Sequence, residues 1–183
     1  MRIVGGEFRG RTLQSPKSAA TRPTSDRTRE SLFNILINRL DFEDLRVLDL
    51  FAGTGALGIE ALSRGANNCV FIESATSPYA VIRQNIENFN LHGRTKLLKM
   101  DATNLGNNRG EGFDLVFLDP PYSKSLGEKA VQSLVENSWL NEGATLILEE
   151  AIASAPTMLP GFTLEDQRKF GDTMIGIFKV IPA

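Results

Sequence analysis

Asp119-Pro120-Pro121-Tyr122 follows directly on the apolar run Asp114-Leu-Val-Phe-Leu118. A carboxylate, two residues without a backbone N–H and an aromatic ring thus stand together where a buried strand should end. Such a group can hold a flat base that bears an amine: Asp119 and a proline-restricted carbonyl accept from the amine, and Tyr122 offers a face for stacking. The same four residues also suit a tight turn. Their meaning depends on what precedes them in the chain.

Upstream, Asp49-Leu-Phe-Ala-Gly53-Thr-Gly55-Ala-Leu-Gly58 leaves a strand-like run and opens a helix. Glycines there permit a tight turn and close approach of a ligand to the backbone. Gly53 to Gly58 also satisfies the dinucleotide pattern G-x-G-x-x-G, with Glu73 at the right distance to take ribose hydroxyls, so a nicotinamide or flavin enzyme is a rival reading. Asp49 separates the two. A carboxylate in the crevice repels a pyrophosphate but suits the amino group of an amino-acid-like ligand. Met100-Asp101-Ala102 ends a third strand-like run and adds an acid able to accept from an adenine amine. Asp49, Glu73 and Asp101 at successive strand ends fit a cationic adenosyl ligand better than a phosphorylated one. Each acid alone is equally a cap or turn residue.

The elements that must position these groups alternate. Strand-like runs at residues 46–50, 69–72, 95–99, 114–118 and 144–148 are separated by helical patterns at about 56–63, 76–91 and 124–137. Two last runs, Phe162–Phe170 and Thr173–Val180, flank Gly171-Asp172 and read as a hairpin. Such alternation predicts an α/β fold with a mostly parallel sheet covered on both faces. Residues 101–112 are rich in Asn and Gly and read as a loop or a single helical turn. Near Thr24 or Ser25 a helix starts, with Leu32, Phe33, Leu36, Ile37 and Leu40 as its apolar stripe. Residues 1–13 alternate loosely around Gly5-Gly6 and Gly10 and predict a small β-hairpin or extended arm. The expected organisation is a basic arm over residues 1–23 and a body over 24–183.

With 183 residues and 42% hydrophobic content the chain can build one domain with a real core. Its net charge of −2 conceals a division. Residues 1–40 carry eight basic side chains against three acidic ones, and the remainder carries −7. A basic arm on an acidic body points to a polyanion at the arm, through Arg2, Arg9, Arg11, Arg22, Arg27 and Arg29; a solvated basic face without a partner is the plainer alternative. One cysteine, Cys69, excludes an intrachain disulfide framework. A single histidine, His92, leaves no His-based triad and no Cys/His ligand set, so no metal site is expected. No apolar run is long enough to span a bilayer and Met1-Arg-Ile-Val-Gly-Gly lacks a secretory core, which predicts a cytoplasmic protein, expected to be a monomer.

Taken together these segments resemble the class I S-adenosylmethionine-dependent methyltransferases, and more narrowly the RsmD family of bacterial 16S rRNA guanine-N2 methyltransferases. The similarity runs through Met1-Arg-Ile-Val-Gly-Gly6, Arg22-Pro-Thr-Ser-Asp-Arg-Thr-Arg-Glu-Ser-Leu-Phe-Asn34, Val47–Gly55, Phe117–Tyr122 and Lys169–Thr173. Asp119–Tyr122 alone marks the wider group of amino methyltransferases, including adenine-N6 enzymes acting on DNA or RNA; the 22–34 segment is more specific. The resemblance implies a Rossmann-like sheet of seven strands with the last one antiparallel. It implies that Asp49, Phe51, Gly53 and Gly55 line S-adenosyl-L-methionine, that Glu73 binds its ribose, and that Asp101 and Ala102 meet its adenine. Asp119, Pro120, Pro121 and Tyr122 would hold the target base. The implied partner is 16S rRNA within an assembled or assembling small ribosomal subunit. Relatives often carry tyrosine where this chain has Phe170, so no hydroxyl acts there.

Overall fold

The computed structural model describes residues 1–17, 24–122 and 125–182. Among these residues four α-helices, α1 (Asp26–Leu36), α2 (Ala56–Ser63), α3 (Thr76–Asn88) and α4 (Leu126–Glu136), accompany seven strands. The strands are β1 (Arg46–Leu50), β2 (Asn68–Ile72), β3 (Thr95–Leu98), β4 (Phe113–Leu118), β5 (Leu140–Ala151), β6 (Phe162–Phe170) and β7 (Thr173–Val180). They form one sheet in the order β3-β2-β1-β4-β5-β7-β6. All pairs from β3 to β5 are parallel, and β7 runs antiparallel to both neighbours, so it alone is reversed. The predicted α/β architecture and the terminal hairpin are thus present. No helix among the described residues is long and apolar enough to cross a membrane.

Each face of the sheet carries its own core. On one, Phe71, Phe117, Ile147 and Ile177 meet α1, α2 and α3. On the other, Leu48, Leu50, Val116, Leu118, Leu146 and Leu148 meet α4 and Leu105. That division follows from the period of two along every strand. No helix connects β3 to β4: residues 99–112 form a loop, tied down where Leu105 N donates to Ser133 Oγ (2.9 Å) and Trp139 Nε1 to the Gly106 carbonyl (2.8 Å). α3 stops at Asn88, earlier than its apolar pattern, because Asn90 turns the backbone left-handed (φ 59°).

The N-terminal β-hairpin expected from the alternation of residues 1–13 does not form. These residues make one isolated antiparallel bridge, Arg2 with Thr12. Ile3 N bonds the Arg11 carbonyl (3.0 Å) and Gly10 N the Ile3 carbonyl (2.8 Å), but nearer the tip the donors turn to α2. Glu7 N donates to the Ser63 carbonyl (2.7 Å), Phe8 N to Ser63 Oγ (2.9 Å) and Val4 N to Glu60 Oε2 (3.0 Å). Ile3, Phe8 and Leu13 are buried in the same core as α1 and α2. Donors committed to the end of α2 are not free to extend a strand ladder.

α1 begins at the cap Ser25, whose Oγ accepts from Thr28 N (3.1 Å). It buries Leu32, Phe33 and Leu36, with Phe33 against Phe117 of β4 (centroids 5.7 Å apart), while Ile37 of the predicted stripe stays half exposed. It also buries Arg29 completely. This guanidinium bonds the Arg2 carbonyl, Asp26 Oδ1 (2.9 Å) and the Thr24 carbonyl (3.4 Å), and its Nε lies 3.9 Å from Glu60 Oε2. Glu60, equally buried, takes a further bond from Arg64 Nε (3.0 Å). A buried pair broken on one side leaves an uncompensated charge. Arg29→Ala is therefore expected to lower the unfolding free energy by about 3–5 kcal/mol, measured by urea denaturation; a loss below about 1 kcal/mol would show that the pair behaves as a surface one.

Candidate active site

Strand register sets the site. Asp49 aligns with Phe71 on β2 and with Phe117 on β4. Two residues further along those strands, on the same face, come Glu73 and Asp119. Leu118 aligns with Leu148, which puts Asp119, just past the end of β4, beside Glu149 within β5. Four carboxylates, Asp49, Glu73, Asp119 and Glu149, therefore share one face at the carboxyl edge of the sheet. Among the described residues none of them makes an ion pair with lysine or arginine. Nor do three His, Cys, Asp or Glu residues converge closely enough to hold a metal ion.

Asp49 and Glu73 grip the glycine turn. Asp49 Oδ2 accepts from Gly58 N in the first turn of α2 (3.0 Å), and Glu73 accepts from Gly53 N and Ala75 N (both 2.9 Å). Gly53 and Gly55 have φ of 60° and 77°, the left-handed region. Phe51 shares that region (φ 55°), which for a bulky residue costs on the order of 1 kcal/mol. Gly58 is demanded by packing, since a Cβ there would lie 2.4 Å from the Phe71 ring. Asn85, fully buried in α3, donates to the Thr54 carbonyl (2.9 Å) and so fixes the turn from its other side. Burial pushes the Asp49 carboxyl up to about 8, against the Gly58 bond, with Glu73 pushing the same way.

Asp101 stands apart. It lies beyond the end of β3, exposed, and accepts from Thr103 N (2.8 Å) and Oγ1 (2.7 Å), bonds that hold its carboxyl below the usual range. Ala102 is buried in the opposite core with Leu48 and Ile72.

Asp119 is half-buried, Pro120 buried, and Pro121 and Tyr122 exposed. Desolvation raises the Asp119 carboxyl well above the ordinary range, helped by Glu149, Asp49 and Glu150. Beside it opens a cleft of ≈ 230 Å3 lined by Thr24, Thr28, Tyr122, Glu149, Phe170 and Thr173. Thr24 Oγ1 donates to Glu149 Oε2 (3.0 Å), and burial raises the Glu149 carboxyl too. Glu149 and Thr24 are additions to the predicted set. The signal for Glu149 in the sequence is an acid straight after the strand-like run 144–148, the same pattern that marks Glu73 and Asp119.

The basic residues part company. Arg2, Arg9, Arg11 and Arg27 are exposed. Arg11 stacks over Phe89 (4.2 Å) and bonds the Asn88 carbonyl (2.7 Å). Arg29, expected to meet a polyanion, is instead buried and ion-paired, because α1 turns it inward onto Glu60. Arg22 lies outside the described residues.

A sheet in this order with only β7 reversed, a glycine turn after β1 and acids at the strand ends define a class I methyltransferase. A family model described as "Conserved hypothetical protein 95" matches residues 1–179. Ribosomal RNA small subunit methyltransferase D of Escherichia coli K12 is 33% identical over 180 residues, covering 98% of this chain and 89% of that protein. The protein of the same name from Haemophilus influenzae is 35% identical over 176 residues, covering 93% and 89%. Among solved structures, yhhF of Escherichia coli superposes with a TM-score of 0.86 at 31% identity, covering 100% of this chain and 99% of that one. A ribosomal protein L11 methylase from Lactobacillus delbrueckii shares the fold alone, with a TM-score of 0.70 at 17% identity, covering 85% and 80%. The chain belongs to the RsmD family.

A carboxylate whose folded pKa is raised adds stability in full below its unfolded pKa and loses it as pH climbs through the folded value. For Asp49 that window runs from about 4 to about 8. Asp49→Asn keeps an acceptor for Gly58 but cannot ionise. It is expected to flatten the fall in thermal midpoint between about pH 5 and 8, and to raise the midpoint near pH 8 by a few degrees. Thermal unfolding by circular dichroism across that range checks this; parallel curves for the two proteins would contradict it.

Proposed function

We propose that this chain transfers a methyl group from S-adenosyl-L-methionine to the exocyclic N2 amine of a guanine in 16S rRNA, within an assembled or assembling small ribosomal subunit in the cytoplasm. The observation that carries this reading is the placing of Asp119 on the same sheet face as the carboxylate-gripped glycine turn, next to Glu149 and a cleft that Glu149 and Tyr122 line. The names of the relatives supply the rRNA.

The acid-lined edge fits the donor chemically. Carboxylates that have no cationic partner among the described residues complement a ligand bearing a sulfonium and an ammonium group. Asp49 and the backbone from Phe51 to Gly55 would hold its amino-acid part. Glu73, with acceptor positions left beyond its two backbone bonds, would take the ribose hydroxyls. Asp101 and Ala102 would meet the adenine. When bound, the sulfonium supplies an electrophilic methyl group.

A guanine amine is a poor nucleophile, its lone pair being delocalised into the ring. Asp119 and the Pro120 carbonyl, accepting its two N–H bonds, favour a pyramidal nitrogen and free the lone pair. Alignment and a matched field then do most of the catalysis. The elevated Asp119 pKa suits it to accept a proton from nitrogen as the amine is methylated. Tyr122 offers its ring to a base taken out of its helix.

Tritiated-methyl transfer to naked 16S rRNA, assembled small subunits and DNA, followed by nucleoside identification, tests the assignment. N2-methylguanosine in rRNA is the expected product; N6-methyladenosine, or label on DNA alone, would overturn it. Asp119→Ala should lower the rate by about 10³-fold or more while calorimetry finds S-adenosylhomocysteine affinity within about twofold of wild type. Equal loss of both would refute the base-holding role. Arg9→Glu and Arg27→Glu, both exposed, should each weaken RNA binding and reduce the log–log salt slope by about one. An unchanged slope would place the RNA elsewhere.

A further inference from the structure

One buried acid at the cleft holds neither the methyl donor nor the amine. Glu149 is 8% exposed, lies beside Asp119 through the β4–β5 register, and lines the cleft that Tyr122 opens. Thr24 donates to its Oε2 (3.0 Å), while Thr173 on β7 lines the same cleft and donates its hydroxyl to the Phe170 carbonyl (2.9 Å). The Thr24 bond comes from a segment distant in sequence and fixes the carboxylate's orientation. It occupies one of the roughly four acceptor positions, so Glu149 retains capacity for a ligand donor.

The chemistry of that free acceptor distinguishes bases. On its Watson–Crick edge guanine presents the N2 amine and, next to it, a second donor, N1–H. Adenine presents its N6 amine next to an N1 lone pair. With Asp119 and the Pro120 carbonyl on the amine, the neighbouring carboxylate faces the ring N1. It attracts N1–H and repels a bare lone pair, and such repulsion is an efficient source of specificity. We propose that Glu149 accepts the N1–H of the target guanine and thereby selects guanine over adenine. This rests on the guanine-N2 reading above and extends it to a residue that the resemblance did not assign.

The test separates the two. Small subunits are assembled from 16S rRNA carrying guanine or 2-aminopurine at the nucleotide that the wild-type chain methylates. 2-Aminopurine keeps the N2 amine but has a lone pair at N1. Wild type should prefer guanine by about a hundredfold or more in kcat/KM. Glu149→Gln, whose amide can donate to that lone pair, should narrow the preference to about tenfold or less. Glu149→Asp, which draws the charge back by one methylene, should narrow it as well. Calorimetry with S-adenosylhomocysteine establishes that each variant is folded. If both variants slow the two substrates by the same factor, Glu149 merely braces Thr24, and the inference fails. It fails equally if the ratio does not change. Absence of any N2-methylguanosine with the wild-type chain overturns the underlying reading, and this one with it.

Discussion

In-register pairing of parallel strands is the constraint on which the site depends. Because side chains alternate faces, one shared row, Phe71–Asp49–Phe117, decides where every later residue points. Two steps on, Glu73 and Asp119 must return to that face. Slipping β4 by one residue would turn Asp119 towards α4 and bring Leu118 into the cleft. The apolar residues at each strand's middle hold the acids at its end, so core packing and site geometry are one problem.

The interior pair Arg29–Glu60 connects the same logic to the entrance of the cleft. Arg29 bonds the Thr24 carbonyl, and the Thr24 hydroxyl bonds Glu149. A charge that reads as a surface contact thereby fixes the backbone just ahead of α1, and through it one wall of the cleft. Burying carboxylates beside this wall is unfavourable. Backbone donors at Gly53, Gly58 and Ala75 offset part of that cost for Asp49 and Glu73, and the raised carboxyl of Asp49 is consistent with a remainder.

Much of this was legible in the sequence because it is local. The glycine turn, the strand before it and the proline-marked end of β4 are contiguous patterns, and alternating periods gave the sheet class. What escaped was non-local. Whether residues 1–13 pair with each other or with the end of α2 depends on Ser63 and Glu60, some 55 residues away. Counting charges placed Arg29 with Arg9 and Arg27, although only burial distinguishes them. Glu149 follows an apolar run as the other acids do, yet its proximity to Asp119 requires the β4–β5 pairing, which no local window contains. β5 itself extends to Leu140–Ala151, beyond its apolar centre, because neighbours on both sides support its polar ends.

β7 occupies the place in the sheet between β5 and β6, although it is the last strand in the chain. During synthesis the glycine turn, Asp119 and Glu149 all leave the ribosome before the strand that covers β5 and brings in Thr173. Until then β5 is an open edge with unpaired amides and carbonyls, the kind of surface that templates association between chains. Pairing of β7 with β5 thus removes a hazard and finishes the wall of the cleft in one event.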